Sequence, residues 1–125
     1  MGSERLESDE LGPGDAREVI ATKRGQVVDL RDHEEFAAGH IPGAINVPED
    51  ELEARLEELP KDGPVIVVCA EGRRSAEAAE QLRERGHEAA SVKGGMKAWQ
   101  GDSLPLQPTD DEEFHGPQRP GPLGD

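Results

Sequence analysis

Short apolar runs alternate with amphipathic stretches along the middle of the chain. The run Val65-Ile66-Val67-Val68 is continuously apolar and β-branched, which favours a parallel strand buried on both faces. Weaker apolar runs predict further short strands within 26–31, 44–47 and 89–92. Because strands that alternate with helices form parallel sheets, the pattern predicts a parallel sheet covered by helices on both faces.

The predicted helices occupy the segments between these strands. Leu52, Leu56 and Leu59 recur at helical spacing, so residues 49–59 are expected to form an amphipathic helix. Residues 74–85 predict a longer helix. Three shorter helical segments are also expected: one capped by Asp15, one over 32–38 that stops at Gly39, and one after Gly94-Gly95 that contains Met96 and Trp99.

The two ends of the chain differ in composition from the middle. Residues 1–14 are polar and close with Gly12-Pro13-Gly14, which predicts a flexible leader. Residues 107–125 are rich in proline and acidic side chains, which predicts a disordered tail. The remaining residues, 15–106, are expected to form one folded domain, in keeping with a length of 125 residues.

Acidic side chains dominate the charge of the protein. The formal net charge is −14, and hydrophobic residues make up only 33% of the chain. Binding to DNA, RNA or an anionic membrane surface requires a basic footprint, so this balance argues against those partners. A strongly acidic surface keeps a protein soluble and opposes self-association, and we therefore expect a monomer.

The expected location is the cytoplasm. No apolar run approaches the roughly 18 residues that span a bilayer, and no apolar stretch follows the first charged residues as in a secretory signal. The single cysteine, Cys69, cannot form an internal disulfide, which fits a reducing compartment. The histidines have no zinc-ligand spacing and no nucleotide-type glycine loop is present, so neither a metal nor a cofactor is expected.

The segment after the strand at 65–68 carries the clearest chemistry. Cys69 begins a short loop that contains Gly72 and leads into a predicted helix N-terminus, whose free N–H groups and dipole favour an anion. Ligands bind at the carboxyl ends of parallel strands, and Arg73 and Arg74 add positive charge. The thiol should therefore have a lowered pKa and act as a nucleophile. Alternatively, Cys69 only ends a buried strand and the two arginines are solvated.

Residues 15–106 resemble the rhodanese family in three segments. The loop from Cys69 to Ser75 matches the family pattern Cys-x-x-Gly-x-Arg-Ser at every fixed position. The other two segments are Val27-Val28-Asp29-Leu30-Arg31, continued by Gly39-His40-Ile41-Pro42-Gly43-Ala44-Ile45-Asn46-Val47-Pro48, and Val92-Lys93-Gly94-Gly95-Met96-Lys97-Ala98-Trp99. The resemblance implies a three-layer α/β/α fold with a central parallel sheet of about five short strands.

The resemblance also implies roles for the loop residues. Cys69 would take up a sulfane sulfur and become a persulfide. Gly72 would let the loop curl, and Arg74 would orient the loop or an anionic donor. Ser75 would cap the following helix and hydrogen-bond the sulfur. The loop amides would bind the persulfide and the developing anion, namely those of Ala70, Glu71, Gly72, Arg73, Arg74 and Ser75.

Other residues of the matching segments are expected to support the fold. Asp29 and Arg31 are candidate supporting residues of the site: they form either a structural ion pair or a pair from which Arg31 reaches the loop. His40 is interpreted as a structural hydrogen-bonding residue and Trp99 as a core anchor.

Two features of the loop bear on its substrate. Related phosphatases and arsenate reductases resemble a longer pattern, with five residues between Cys and Arg, whereas only four separate Cys69 from Arg74. The tighter loop suits a sulfur atom better than a larger phosphoryl or arsenyl group. Glu71 adds a negative charge that either repels thiosulfate, favouring a persulfide or polysulfide donor, or pairs with Arg73 and has little effect.

The leading hypothesis is a sulfurtransferase that uses Cys69. It would move sulfane sulfur from thiosulfate, a polysulfide or a persulfide to cyanide or a thiol, in two half-reactions. The partners are then that donor and acceptor, with a sulfur-relay protein as a further candidate. A rhodanese-like binding or regulatory module without turnover is the first alternative, and a phosphatase or arsenate reductase is the second.

Overall fold

The sheet is parallel throughout, and its central strand leads to the cysteine. The computed structural model describes residues 8–102 and residue 106. The strands in this part of the chain are β1 (Glu10–Leu11), β2 (Gln26–Asp29), β3 (Ile45–Asn46), β4 (Pro64–Val68) and β5 (Glu88–Val92). They lie in the order β1-β5-β4-β2-β3. Val67 of β4 is in register with Val28 on one side and Ser91 on the other.

Helices cover both faces of this sheet. They are α1 (Pro13–Lys23), α2 (His33–Ala38), α3 (Arg73–Glu84) and α4 (Gly95–Gly101), with two 3₁₀ helices at Glu49–Glu51 and Glu53–Glu58. One face packs against α3 and the 3₁₀ helices, and the other packs against α1 and α4. The expected three-layer α/β/α fold is therefore confirmed. Within the described residues, no helix combines the length and hydropathy that crossing a bilayer requires.

The apolar run of β4 is explained by its position between two cores. Val65 and Val67 belong to the core beneath α3, whereas Ile66 and Val68 belong to the core beneath α1 and α4. Successive side chains of a strand point to opposite faces, so a strand covered on both sides must be apolar at every position. Cys69 continues this alternation and faces the α3 side.

The sheet begins earlier in the chain than the sequence pattern predicts. Glu10 and Leu11 fall in the segment predicted to be a leader, yet β1 pairs with β5, and Leu11 is buried in the core beneath α1. The helix α1 has Gly12 as its N-cap and proline at its start, rather than Asp15 as the cap, because the fixed φ of proline suits the first helical turn. Residues 1–7 and the predicted tail, 107–125, lie outside the described residues.

Residues 49–59 form 3₁₀ turns instead of the predicted α-helix. The amide of Arg55 donates to the carbonyl of Leu52 at 3.0 Å, and that of Leu59 to the carbonyl of Leu56 at 3.1 Å. This segment runs from the carboxyl end of β3 to the amino end of β4, and 3₁₀ turns advance about 2.0 Å per residue against about 1.5 Å in an α-helix. The leucines still share a buried face, as predicted.

Ser91 provides a test of this packing. It is fully buried in β5, and its hydroxyl finds no hydrogen-bond partner among the described residues. Since a buried hydroxyl without a partner costs about 1–3 kcal/mol, Ser91→Ala should raise the free energy of unfolding by about 1 kcal/mol in urea titrations. Ala89→Ser, which adds a hydroxyl on the same face of the same strand, should lower it. A destabilising Ser91→Ala would contradict this assignment.

Candidate active site

Cys69 lies at the carboxyl edge of the sheet, immediately after β4. The neighbouring strand is tied to the same edge, because the amide of Leu30 donates to the carbonyl of Val68 at 2.9 Å. Cys69 is 2% exposed, so its sulfur is nearly enclosed by protein. The thiol therefore lies between the end of a strand and the start of a helix, where the sequence predicts it.

The loop aims its hydrogen-bond donors at the sulfur of Cys69. The amide of Gly72 donates to Sγ at 3.1 Å and that of Ser75 at 3.3 Å, while the Ser75 hydroxyl oxygen lies 3.4 Å from Sγ. Gly72 is the N-cap of α3 and makes no side-chain cap, so the capping role expected of Ser75 is not found. The first amides of a helix have no intrahelical partner. Here Sγ of Cys69 accepts hydrogen bonds from two of these amides, in place of a capping side chain.

These contacts decide the ionisation of the thiol. Burial raises the pKa of Cys69, because it disfavours the charged form. Hydrogen bonds from the Ser75 hydroxyl and from the amides of Ser75, Gly72 and Glu71 act in the opposite direction and outweigh burial, so the pKa lies below its usual value. The hydrogen bonds thus make the thiolate, the form of cysteine that acts as a nucleophile, easier to form than in an ordinary cysteine.

Close backbone packing fixes the shape of the loop. Gly72 has φ of 99°, and a Cβ there would lie 2.8 Å from the amide nitrogen of Gly94. A Cβ on Gly95 would lie 2.5 Å from the carbonyl oxygen of Cys69. Each position therefore needs glycine, both for its positive φ and for the approach of the two segments.

The start of α4 also holds the loop by hydrogen bonds. The amide of Met96 donates to the carbonyl of Cys69 at 2.8 Å, and the amide of Lys97 donates to the carbonyl of the half-buried Ala70 at 3.0 Å. The sequence predicts a tight turn at Gly94-Gly95 packed near the site, and these contacts confirm it: the segment supports the cysteine loop.

The charged side chains of the loop are exposed and only partly paired. Arg74 donates to Glu49 at 3.0 Å. Glu71 and Arg73 are exposed, and neither forms an ion pair with another described residue. The pairing of Glu71 with Arg73, one of the two interpretations of the sequence, is therefore not formed. Glu49 was not predicted as part of the site, although its place after β3 puts it at the same edge of the sheet.

Asp29 and Arg31 form a buried ion pair beside the site. Their side chains approach to 2.9 Å, and the Arg31 guanidinium also donates to the carbonyl of Gly39 at 2.8 Å. The side-chain amide of Asn46 donates to both backbone carbonyls of the pair. These contacts connect β2, β3 and the end of α2, which agrees with the structural alternative for the pair.

The histidine of the matching segment has structural contacts. His40 is buried, its ring stacks on Phe36 with centroids 3.8 Å apart, and its Nδ1 lies 2.9 Å from the Phe36 carbonyl. Within the described residues, no cluster of three or more His, Cys, Asp or Glu side chains has an arrangement that could hold a metal ion.

The family model for the rhodanese-like domain matches residues 13–102. The chain belongs to the rhodanese-like domain family. The match covers both the cysteine loop and the α4 segment that supports it.

Individual relatives agree with this assignment. YtwF of Bacillus subtilis, which has a provisional sulfurtransferase name, is 33% identical over 80% of this chain and 98% of its own length. A rhodanese-related protein from Thermoplasma volcanium has a TM-score of 0.75 at 32% identity, covering 80% of this chain and 98% of that one. A thiosulfate sulfurtransferase from Pseudomonas aeruginosa has a TM-score of 0.72 at 29% identity, covering 82% of this chain and 21% of that one.

The contribution of Ser75 to the thiol pKa can be measured directly. Because the Ser75 hydroxyl lowers the pKa of Cys69, Ser75→Ala should move it upward. The rate at which iodoacetamide alkylates the Ser75→Ala variant should then fall at neutral pH. At alkaline pH it should approach the rate of the unmodified chain, because Cys69 is ionised in both proteins there. Ser91→Ala, which removes a buried hydroxyl from the adjacent strand, is the matched control. An unchanged pH profile in Ser75→Ala would contradict the assignment.

The fit between the loop and α4 yields a second prediction for this rhodanese-like domain. Gly95→Ala places a methyl group against the Cys69 carbonyl, so the backbone there must shift. We expect the amides of the loop to move away from the sulfur as a result. We expect slower alkylation at neutral pH together with a lower melting temperature. Gly101→Ala is the control, since a Cβ at that end of the same helix meets nothing within 4 Å. Equal effects of the two substitutions would contradict the proposed fit.

Proposed function

We propose that this rhodanese-like domain is a sulfurtransferase that carries sulfur as a persulfide on Cys69. The observation that carries the proposal is the hydrogen bonding of Sγ by the amides of Gly72 and Ser75. These donors stabilise a negative charge at the position where the nucleophile and, later, the leaving thiolate must be ionised.

The first half-reaction loads the cysteine. The Cys69 thiolate attacks the sulfane sulfur of a donor, a new S–S bond forms, and the donor's own bond to that sulfur breaks. The bonding electron pair leaves with the remainder of the donor, which is sulfite when the donor is thiosulfate. Charge and atoms balance, because a thiolate and a thiosulfate dianion become an enzyme persulfide anion and a sulfite dianion.

The second half-reaction returns the enzyme to its starting state. A nucleophile such as cyanide or a thiolate attacks the outer sulfur, and Cys69 leaves as the thiolate. The same amides that stabilise the attacking sulfur stabilise it as a leaving group. Because the donor's remainder departs before the acceptor reacts, we expect ping-pong kinetics.

The loop also has donors for the second sulfur. Arg73 and Arg74 occupy the first two positions of α3, where amides have no intrahelical partner. We infer that these N–H groups bind the outer sulfur of the persulfide. Since Cys69 is 2% exposed, a slender terminal sulfur enters more easily than a tetrahedral phosphoryl group.

The named relatives support the same class of reaction. The proposed donor is thiosulfate, a polysulfide or a persulfide, and the acceptor is cyanide or a thiol. A reducing cytoplasm suits this chemistry, because the nucleophile has to remain a free thiolate.

Mass spectrometry of the intact protein tests the proposal. After incubation with thiosulfate or polysulfide, the unmodified chain should gain the mass of one sulfur atom and lose it on addition of cyanide. Cys69→Ser should gain nothing. The double variant Cys69→Ser/Ala70→Cys, which moves the thiol by one position in the same loop, is the control for thiol reactivity alone. Absence of the adduct in the unmodified chain, or cyanide-reversible loading of Cys69→Ser, would refute the proposed function.

A further inference from the structure

An ion pair at the edge of the cysteine loop is not accounted for by the reaction. Arg74 belongs to the loop pattern, and its guanidinium donates to the Glu49 carboxylate at 3.0 Å. The two side chains are 50% and 47% exposed, so the pair lies at the surface rather than in the core. The residue expected to orient an anionic donor is therefore already bound to a carboxylate.

The position of Glu49 beside the loop is fixed by backbone hydrogen bonds. Its amide donates to the carbonyl of Leu30 at 3.1 Å, and the amide of Leu30 in turn donates to the carbonyl of Val68 at 2.9 Å. Val68 immediately precedes Cys69. Glu49 is thus held at the carboxyl edge of the sheet, two strands across from the nucleophile.

The pair changes the charge that an approaching donor meets. The loop carries Glu71, Arg73 and Arg74, and it would have one net positive charge without Glu49. With Glu49 included, acids and bases balance, and Arg73 is the loop arginine that has no ion pair among the described residues. Four charges that sum to zero attract a compact dianion less than the net positive loop would.

We propose that Glu49 is a specificity-determining residue: it holds Arg74 in an ion pair and biases the site against dianionic sulfur donors, in favour of donors with at most one negative charge near the transferred sulfur, such as persulfides. This inference rests on the proposed sulfurtransferase function. It assigns to Glu49 an effect on the choice of donor and no effect on the bond-breaking step itself.

The size of the effect follows from the exposure of the pair. Exposed ion pairs are weak, so Arg74 can leave Glu49 at a modest cost. Removing the carboxylate should therefore speed the reaction of a dianion about fivefold, and that of a monoanion about twofold because it carries half the charge. Screening by salt should reduce both gains.

The experiment compares two donors that lose sulfur in the same way but differ in charge. Thiosulfate is a dianion, and methanethiosulfonate is a monoanion that releases methanesulfinate. The rate of Cys69 persulfide formation is measured for each donor in rapid-quench experiments with mass detection, at low salt and at about 1 M salt. Glu49→Gln should raise the ratio of the thiosulfate rate to the methanethiosulfonate rate at low salt, and this rise should largely disappear at high salt.

Glu53→Gln is the matched control. It removes one carboxylate from the same segment, but that carboxylate pairs with Arg85, at the far end of α3, at 2.7 Å. We expect no change in the donor ratio. Lys93 and Lys97, which are also exposed, are present in both variants and cannot produce a difference between them.

The outcomes separate the inference from the function on which it rests. If neither donor loads the unmodified chain, the sulfurtransferase proposal fails. If both donors load it and Glu49→Gln leaves their ratio unchanged, or Glu53→Gln changes the ratio equally, the role of Glu49 is overturned. In an Arg74→Gln background, Glu49→Gln should have a smaller effect, and an equal effect would show that Glu49 does not act by holding Arg74.

Discussion

The site depends on the fit of one sulfur atom against the N-terminal end of α3. The strand β4 brings Cys69 to that point, and Gly72 turns the chain so that its own amide and that of Ser75 converge on Sγ. Burial alone would raise the pKa of the thiol. Because the hydrogen bonds outweigh burial, the pKa of Cys69 is lowered although its sulfur is nearly enclosed by protein.

The same constraint joins two segments that are distant along the chain. The cysteine loop cannot keep its shape without the start of α4, whose amides bind the carbonyls of Cys69 and Ala70. The two segments meet so closely that Gly72 and Gly95 have no room for a side chain. The reactive centre is thus a packed backbone unit to which side chains add little beyond the sulfur, the Ser75 hydroxyl and the surrounding charges.

Much of this arrangement could be predicted from the sequence, because strong local signals coincide there. The apolar β4, the glycine in the loop and the helix that follows predict both the fold and the position of Cys69. Two contacts between distant segments could not be predicted in the same way. The pairing of Leu11 with β5 depends on a partner far along the chain, and the ion pair of Glu49 with Arg74 depends on which strand ends share an edge. The expected cap by Ser75 is wrong for a related reason, since the sulfur already satisfies that end of the helix.

A high-resolution crystal structure of the protein after incubation with a sulfur donor would show directly how the loop binds the sulfur of Cys69. We expect a second sulfur atom bonded to Sγ of Cys69, with Sγ still bound by the amides of Gly72 and Ser75 and the outer sulfur facing the first turn of α3. A structure in which Sγ turns into the core, with the loop amides bound to other acceptors and no added sulfur, would contradict it.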